Sequence, residues 1–436
     1  MDNLIEVDRE IIKMQLIHDL PESDKKKIFI PAYSINYTHY YFLLDFKRCI
    51  IVCWSVNVEK LVNYFTSFIK DRNDIKVPWN KDFKSYMESI FFPHSVQSYR
   101  DKVIISFIGG NAFLELDIYN FSHKLIIDEL NFGSSMMYSS TNEIYGDKMY
   151  FTRWNINENF LRCADRKNKV NLQIGYYDLV KNDFSIIDCI KEHDNIHGTY
   201  VVENGNKLLI VEMCQEPRYP YPTPPLPEEK AEMLKVLKSG LYSSDVILYD
   251  LETQSYDLKK MAEGPAHLEK HNGDSEYYLS THNLSTNNNV NCCFGISKIH
   301  KINFKNNKIN FMDCYESDDL LRASSHKCFD FNNLKLLAIT VFPNQIHILD
   351  REKLDVYKKI ELKKSNYSLS FSDGPMIYPR IDKTPYTVHV NDSSNFIFLS
   401  SLWNVVIYDF LNNKKIASIV YNTNKPLIAM GHAITI

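Results

Sequence analysis

A histidine recurs at one position of a repeated pattern in this sequence. Six of the 14 histidines stand close before a short polar turn, which an apolar segment then follows. The interval from histidine to turn is seven residues in three of the six cases, as from His94 to Asp101, and the other three fit within one or two residues. A repeat of this kind limits the chain to an architecture built from similar units. The six histidines are His39, His94, His197, His267, His326 and His389.

Each full unit contains four strand-like segments. Polar turns separate these segments, and the same order is found at 94–128, 326–361 and 389–420, with the third segment ending in aspartate each time. Short segments rich in β-branched and aromatic residues between polar turns are typical of antiparallel strands. In the unit at 94–128 the four segments are His94–Tyr99, Val103–Phe107, Phe113–Asp117 and Lys124–Asp128.

Seven such units follow one another. Ser140 takes the histidine position in the one unit that lacks this residue, and successive units start 46 to 70 residues apart. Four-stranded units repeated around a ring are typical of a β-propeller, and seven blades lie within the usual range. The sequence therefore predicts an all-β fold, a seven-bladed β-propeller of four-stranded antiparallel blades over residues 27–436. A charged, helical segment is expected at 1–26.

Three further segments depart from the repeat. Apolar residues at spacings of three and four predict a helix inserted at 56–71. Six prolines and a short helical pattern define an insertion at 216–243, which we expect to be a lid, a substrate wall or a contact in a homo-oligomer. Strand-like residues near Ile28–Ala32 and in the tail from Gly431 indicate that the two ends of the chain pair to close the ring.

Composition excludes several kinds of function. The 50 basic and 54 acidic residues are mixed along the chain, so we expect no basic surface for nucleic acid. The N-terminal residues lack an apolar signal core, and no apolar run is long enough to span a membrane. Nine cysteines without a CxxC motif are typical of reduced thiols, so we expect a cytoplasmic protein.

The repeat resembles two groups of propellers to different degrees. As in WD40 repeats, a histidine recurs and an aspartate ends the third strand, but the sequence has no Trp-Asp pair. The seven-residue interval is similar instead to the inner strands of YVTN-type propellers and of histidine-lined propeller enzymes. The segment from His197 to Leu209 is similar in outline to a ligand strand of carotenoid-cleaving oxygenases. Four histidines hold iron on the axis in that family, so the resemblance implies inner-strand histidines that point into the central channel.

The histidine positions make a metal site the first hypothesis. Neutral imidazole is the commonest protein ligand of transition metals, and ligands fixed by separate strands leave positions open for oxygen or substrate. The sequence therefore predicts a metal-dependent oxidoreductase acting on a small organic substrate, with iron(II) favoured over copper. Glu269 is expected to be the catalytic-site carboxylate that accepts a hydrogen bond from a ligand histidine and so orients it. The pool of metal ligands is His94, His197, His267, His326, His389 and His39, with His432 as a further member.

Two alternatives remain open at this point. A channel histidine with an acid or a tyrosine could act as general acid and base in a lyase or hydrolase without a metal. Alternatively, the histidines only fill the channel with hydrogen-bonded rings, and the propeller is a non-enzymatic interaction module that docks partners through the 216–243 insertion. The sequence contains no GxSxG, P-loop, GxGxxG or HExxH motif, so no motif separates these alternatives.

Overall fold

The described part of the chain consists mainly of β-strands. A computed structural model describes residues 2–14, 26–34, 37–69, 88, 91–107, 110–128, 136–139, 141–155, 170–193, 196–212, 244–261, 264–271, 274–281, 296–342, 344–362, 368–369, 380–381, 387–400, 404–420, 427–430 and 434–436. Ser140 and the 216–243 insertion lie outside these residues, so the expectations for them stay predictions.

The elements are as follows. Strands β1–β4 span Glu6–Lys13, Lys27–Ser34, Thr38–Asp45 and Ile50–Asn57, and helix α1 spans Glu59–Ile69. Strands β5–β8 span Pro93–Tyr99, Lys102–Phe107, Ala112–Asp117 and His123–Ile127. Strands β9–β13 span Met136–Tyr138, Glu143–Tyr145, Lys148–Asn155, Val170–Asp178 and Asp183–His193. Strands β14–β17 span Ile196–Val202, Lys207–Glu212, Ser244–Asp250 and Tyr256–Met261.

The second half of the chain continues the series. Strands β18–β21 span Pro265–Glu269, Tyr277–Thr281, Ile296–Lys305 and Lys308–Phe331. Strands β22–β26 span Leu334–Phe342, Gln345–Asp350, Val356–Glu361, Ser368–Leu369 and Arg380–Ile381. Strands β27–β32 span Thr387–Val390, Phe396–Ser400, Asn404–Asp409, Lys414–Val420, Leu427–Met430 and Ile434–Thr435. Two short 3-10 helices span Asp2–Leu4 and Glu203–Gly205.

The strands form seven antiparallel blades in a ring, which confirms the predicted all-β seven-bladed propeller. Blades 2, 4 and 7 are the series β5–β8, β14–β17 and β27–β30. Blade 3 contains β9–β13, where β9 and β10 both pair with β11. Blades 5 and 6 share β21, which pairs with β20 through residues 308–321 and with β22 through residues 321–331, so that Leu321 pairs with both strands. This strand is therefore the outer strand of blade 5 and then the inner strand of blade 6.

Blade 1 joins the two ends of the chain. β2 pairs with β31, where Ala32 lies opposite Met430, and with β32, where Phe29 lies opposite Ile434. The C-terminal strands are thus the innermost of blade 1, followed outward by β2, β3 and β4. The expectation that the chain ends pair to close the ring is confirmed. One consequence is that β3 is the third strand outward from the axis in its blade, whereas the sequence predicts it to be the inner strand.

The N-terminal segment at 1–26 also departs from the sequence prediction. The segment expected to be helical contains strand β1, which pairs along its whole length with the outer edge of β4. That edge offers unpaired backbone N–H and C=O groups, and hydrogen bonding to them outweighs the helical preference expected for this segment. Helix α1 lies inside the insertion predicted at 56–71 and packs its apolar face on blade 2, where the rings of Phe65 and Phe91 are 5.4 Å apart.

Asparagine and aspartate shape the turns. Asn306 and Asn307 connect β20 to β21 with φ values of 55° and 57°, a left-handed conformation that asparagine adopts more readily than most residues. An aspartate ends the third strand of five blades and accepts the backbone N–H groups two and three residues later. The recurrent aspartate therefore has a structural role at Asp117, Asp178, Asp250, Asp350 and Asp409.

The hydrophobic core is distributed between neighbouring blades. In blade 6, consecutive residues of β22 from Leu336 to Ile339 are all fully buried, because both faces of the sheet pack against other blades. One cluster joins Ile348 of blade 6 to Ile397 of blade 7. Within the described residues, no helix is long and apolar enough to cross a membrane.

Candidate functional site on the propeller axis

Six strands surround the axis beside the closing strands of blade 1. They are the first strands of their blades, and from blade 2 to blade 7 the first strands of successive blades lie against one another. One parallel bridge, from Thr141 to Gly198, joins blades 3 and 4 directly. Because all inner strands run in the same direction, equivalent positions form layers around the channel. The inner strands are β5, β10, β14, β18, residues 325–331 of β21, and β27.

His94 and His267 bring two imidazole rings together across the axis. Their ring centroids are 6.4 Å apart, and the ring planes differ by 21°. His94 belongs to blade 2 and His267 to blade 5, which are separated by two blades on one side and three on the other. Side chains from these blades meet only near the axis, so this pair lies where the sequence predicted. Its role in metal binding stays a prediction.

His326 points between two blades. Its Nε2–H donates a 2.9 Å hydrogen bond to the carbonyl oxygen of Tyr278 on β19 of blade 5. The ring is 6% exposed, and burial lowers the pKa of His326 below its ordinary value. The geometry is that of a neutral, structural histidine that ties blade 6 to blade 5.

His389 lies on the inner strand of blade 7, in surroundings that keep it uncharged. Burial, together with the positive charge of Lys327, lowers the pKa of His389 to about 3. Among the described residues, no hydrogen-bond partner reaches its Nε2 atom. A buried polar atom without a partner is costly, so this nitrogen marks a place where a polar group could be accommodated.

His39 is not on an inner strand, and the sequence expectation for its position is wrong. It lies on β3, where burial between aromatic rings lowers its pKa to about 3. Its Nδ1 is 3.3 Å from the hydroxyl oxygen of Tyr41, and the ring of Phe107 lies at 5.8 Å. The misplacement arose because the C-terminal strands occupy the inner layer of blade 1.

His197 and His432 are the remaining histidines predicted as metal ligands. The backbone of His197 lies on inner strand β14, but its side chain and the whole of His432 lie outside the described part of the chain. Considering only side chains that the structure describes, no group of three or more histidine, cysteine, aspartate or glutamate residues is placed to hold a metal ion. The described residues therefore bring two of the six histidines together, not a complete set of ligands.

Glu269 has a different partner from the one expected. Its carboxylate oxygen lies 2.7 Å from the Lys327 ammonium, which joins the inner strands of blades 5 and 6. This carboxylate raises the pKa of Lys327, so the lysine remains protonated. His271, two residues after Glu269, pairs with Asp392 at 3.1 Å. Glu269 therefore forms an ion pair with Lys327, and its negative charge also acts on the ring of His326.

Glu143 is the axial residue that the sequence reading missed. It lies on β10 in blade 3, and its Oε2 accepts a 2.6 Å hydrogen bond from the backbone N–H of Val201. Burial raises the pKa of Glu143 to about 7; the Val201 N–H and Lys327 counteract this shift, and Glu269 adds to it. Since Glu269 and Lys327 belong to blades 5 and 6, these charges act on Glu143 from other parts of the ring.

Tyr200 and a short polar network support this part of the axis. The Tyr200 hydroxyl donates to the Ala266 carbonyl at 2.8 Å, linking blades 4 and 5. Gly198 makes room for this ring, because a Cβ atom there would lie 2.7 Å from Tyr200 Cε2. Buried side chains of blades 2, 3 and 4 are joined by hydrogen bonds among Ser106, Ser139, Asn142, Thr152 and Thr199.

The sequence contains only a weak indication that Glu143 is an axial residue. It is an acid within an inner-strand segment three residues after Ser140, in the one unit that lacks a histidine. Lys327 likewise follows a repeat histidine directly. Neither pattern indicates that residues almost 200 positions apart act on one another, because only closure of the ring brings them to one axis.

Comparisons with known proteins give little beyond architecture. No protein-family model matches the sequence, and no curated protein matches it. Among solved structures, the chain is similar to apo AztD from Citrobacter koseri, with 10% sequence identity and a TM-score of 0.40 over 79% of this chain and 76% of that chain. A likeness at this level bears on neither activity nor site. The resemblance to histidine-lined propeller enzymes is therefore confirmed only as propeller architecture.

Proposed function

We propose that the protein binds a small polar molecule on the propeller axis, with Glu143, Glu269 and Lys327 as its charged recognition groups. One observation carries this proposal: the Lys327–Glu269 ion pair joins the inner strands of blades 5 and 6, and both charges influence the pKa of Glu143 on the inner strand of blade 3. Burial of charged groups is unfavourable unless they are paired or used, and perturbed groups of this kind cluster at functional sites. The central channel is also the usual ligand-binding location in this architecture.

The same groups are suited to acid–base chemistry. A carboxyl with a pKa of about 7 is present in both protonation states near neutral pH, as a general acid or base requires. Lys327 stays protonated and could stabilise a developing negative charge on a bound substrate. This favours the lyase or hydrolase alternative among the metal-independent functions.

A binding screen tests the axial site. The wild-type protein, Lys327→Met and the control Lys260→Met on outer strand β17 would be compared by thermal shift against a library of small sugars, amines and carboxylic acids. We expect compounds that stabilise the wild type and the control but fail to stabilise Lys327→Met. Equal responses in all three proteins would refute an axial site that depends on this charge.

A metal-dependent oxidoreductase is the second candidate, favoured by the His94–His267 contact. Two imidazoles that bind one ion from opposite sides place their centroids about 6.4 Å apart, from ~2.1 Å for each metal–nitrogen bond and ~1.1 Å from each nitrogen to its ring centre. The observed separation has this value. His197, on neighbouring inner strand β14, is the candidate for a third ligand. An iron or copper ion there would supply redox chemistry, and the two histidines would hold and orient it.

Metal analysis tests this second candidate. Protein expressed with added iron or copper would be measured by elemental analysis, alongside His94→Ala, His267→Ala and the control His123→Ala, which alters an exposed histidine at the start of β8. We expect about one equivalent of metal in the wild type and the control, and its loss in both axial variants. Metal contents far below one equivalent in the wild type, or unchanged in the axial variants, would remove this candidate.

A further inference from the structure

We propose that one arc of the propeller, formed by the outer turns of blades 7, 1, 2 and 3, docks on a membrane surface that contains anionic lipids. The docking surface consists of three apolar residues at the tips of equivalent turns, with lysine and arginine side chains beside them. It lies away from the axis, so the proposal does not depend on the axial site. The three residues, which we call the apolar tips, are Tyr119, Val180 and Leu411.

Five blades build the turn from the third to the fourth strand in the same way. In each turn, the residue two positions after the aspartate donates its backbone N–H to the aspartate carboxylate, at 2.8 to 3.1 Å. Two residues further on, the backbone is left-handed, with φ between 54° and 63°. Because the five turns share this geometry in one ring of blades, their tips lie on the same face of the propeller. The five tip residues are Tyr119, Val180, Glu252, Glu352 and Leu411.

The chemistry of the tip changes around the ring. Blades 4 and 6 have exposed glutamates at this position, Glu252 and Glu352, so the turn itself does not require an apolar residue. The tips of blades 7, 2 and 3 are instead large apolar residues, with exposed fractions of 43%, 54% and 55%. Single exposed apolar residues are common, but these three take the same position of the same turn on one arc. The arc therefore presents several apolar side chains to one flat partner.

Blade 1 belongs to the same arc, between blades 7 and 2. The Lys27 ammonium lies 3.9 Å from the Asp45 carboxylate of blade 1 and 4.5 Å from the centroid of the Tyr119 ring of blade 2. Asp45 ends the third strand outward from the axis and accepts the Arg48 N–H at 3.0 Å, much as the aspartates of the other blades do. The turn that follows Asp45 thus lies on the same face as the apolar tips.

The exposed charged residues of these four turns are all cations. Arg48 and Lys181 lie 3.8 and 3.7 Å from the aspartates of their own turns, yet their side chains remain 58% and 78% exposed. Turns nearer the axis carry both signs, as where Arg100 pairs with Asp147 at 3.1 Å. The cations of the outer turns are Lys47, Arg48, Lys181, Lys414 and Lys415, within segments 46–49, 118–122, 179–182 and 410–415.

Apolar tips flanked by cations match the chemistry of an anionic membrane surface. There, apolar side chains bury at the boundary between headgroups and acyl chains, and lysine or arginine is attracted to the lipid phosphates. The Tyr119 ring beneath the Lys27 ammonium combines both features in one contact. A protein partner requires a contiguous complementary patch, whereas a membrane accepts separate tips on one plane. The glutamate tips of blades 4 and 6 would be repelled, so the opposite arc should face the lipid.

Vesicle co-sedimentation of the full chain tests this proposal. The protein would be mixed with vesicles of phosphatidylcholine alone and with vesicles that also contain phosphatidylserine, at a series of salt concentrations. A tip variant replaces the three apolar tips by glutamate, the residue that the equivalent turns of blades 4 and 6 already hold. Its substitutions are Tyr119→Glu, Val180→Glu and Leu411→Glu.

A control variant matches the tip variant in number and charge of substitutions. It replaces three exposed apolar residues on the outer strands of blades 4 and 6 by glutamate, so both variants have the same net charge. Thermal unfolding checks that each variant keeps the fold. Lys327→Met is a second control, because the axial charge should not affect binding to vesicles. The substitutions of the control variant are Tyr256→Glu, Val356→Glu and Tyr357→Glu.

We expect the wild type and both controls to bind vesicles with phosphatidylserine at least about 10-fold more tightly than vesicles of phosphatidylcholine alone. Added salt should weaken this binding, because it screens the attraction between the cations and the headgroups. The tip variant should bind at least about 10-fold more weakly than the wild type, since it buries less apolar area and adds repulsion.

Several results would overturn the proposal. They are an absence of wild-type binding to phosphatidylserine vesicles, equal binding by the tip variant, or an equal loss in the tip and control variants, which would mean that only total charge matters. A wild-type dimer in light scattering that the tip variant abolishes, without vesicle binding, would replace the membrane by a second copy of the chain. Failure of the axial site would appear separately, as equal responses of Lys327→Met and Lys260→Met in the library screen.

Discussion

Replacing Glu143 by glutamine should change how the stability of the protein depends on pH. The carboxyl has an ordinary pKa of 4.5 and a pKa of about 7 in the folded protein, mainly because it is buried. Between these values the folded state binds a proton that the unfolded state has lost. The stabilisation from this proton is therefore complete below about pH 4.5 and is lost as the pH rises through about 7.

The size of this change in unfolding free energy follows from the shift in the pKa of Glu143. One pKa unit corresponds to about 1.4 kcal/mol, so the full change is about 3 kcal/mol, of which about 2.5 kcal/mol falls between about pH 5 and about pH 8. Glutamine does not titrate and retains an oxygen for the Val201 N–H. The difference in unfolding free energy between wild type and Glu143→Gln should therefore shift by about 2.5 kcal/mol over this range, in favour of the variant at the higher pH.

Urea unfolding of both proteins at a series of pH values measures this difference, and the other titrating groups cancel in the comparison. Infrared difference spectra of the folded proteins give an independent test, since the band of a protonated carboxyl should be present in the wild type at about pH 6 and absent from the variant. A free-energy difference that is constant from about pH 5 to about pH 8, together with no such band, would refute the assignment of a raised pKa to Glu143.

Three further predictions concern the scaffold. His326→Ala should lower the unfolding free energy by about 2–4 kcal/mol in urea unfolding, because it opens a cavity and leaves the Tyr278 carbonyl without its donor; a loss below about 0.5 kcal/mol would contradict the structural role. Deleting residues 427–436 should leave the inner edge of β2 open and lower the thermal midpoint, and an unchanged midpoint in calorimetry would show that the ring does not need these strands. Gly198→Ala should lower the unfolding free energy by about 1–3 kcal/mol, since its Cβ would overlap the Tyr200 ring; full stability by thermal or urea unfolding would mean that the ring moves aside at no cost.

The architecture could be predicted from the sequence because it depends on local, repeated signals. Strand β7, at Ala112–Asp117, matches the predicted segment Phe113–Asp117 to within one residue, since an apolar run ends at an aspartate whose side chain accepts the N–H groups of the next turn. Pairing of the chain ends could also be anticipated, because strand-like tails at both ends of a ring need partners. Strand β1 was missed for the opposite reason: its pairing depends on the free edge of β4 and not on its own residues.

The candidate site could be predicted only in part. The repeat placed His94 and His267 at equivalent positions, and the structure brings their rings to 6.4 Å. The same repeat placed His326 and His389 at the equivalent position of their strands. His326 nevertheless bonds to a backbone carbonyl of the neighbouring blade, whereas His389 is buried as a neutral ring. Spacing defines the position of a residue along its strand, but the direction of a side chain depends on the blade packed against it.

The sequence by itself determined the number of blades, the turn chemistry and the inner strands of six of the seven blades. Only the tertiary structure decided that Glu143 acts on Glu269 and Lys327, and that His39 stands in a third layer. The physical reason is that strand formation and turns depend on neighbours in sequence, whereas pKa values and ion pairs depend on charges that closure of the ring places together.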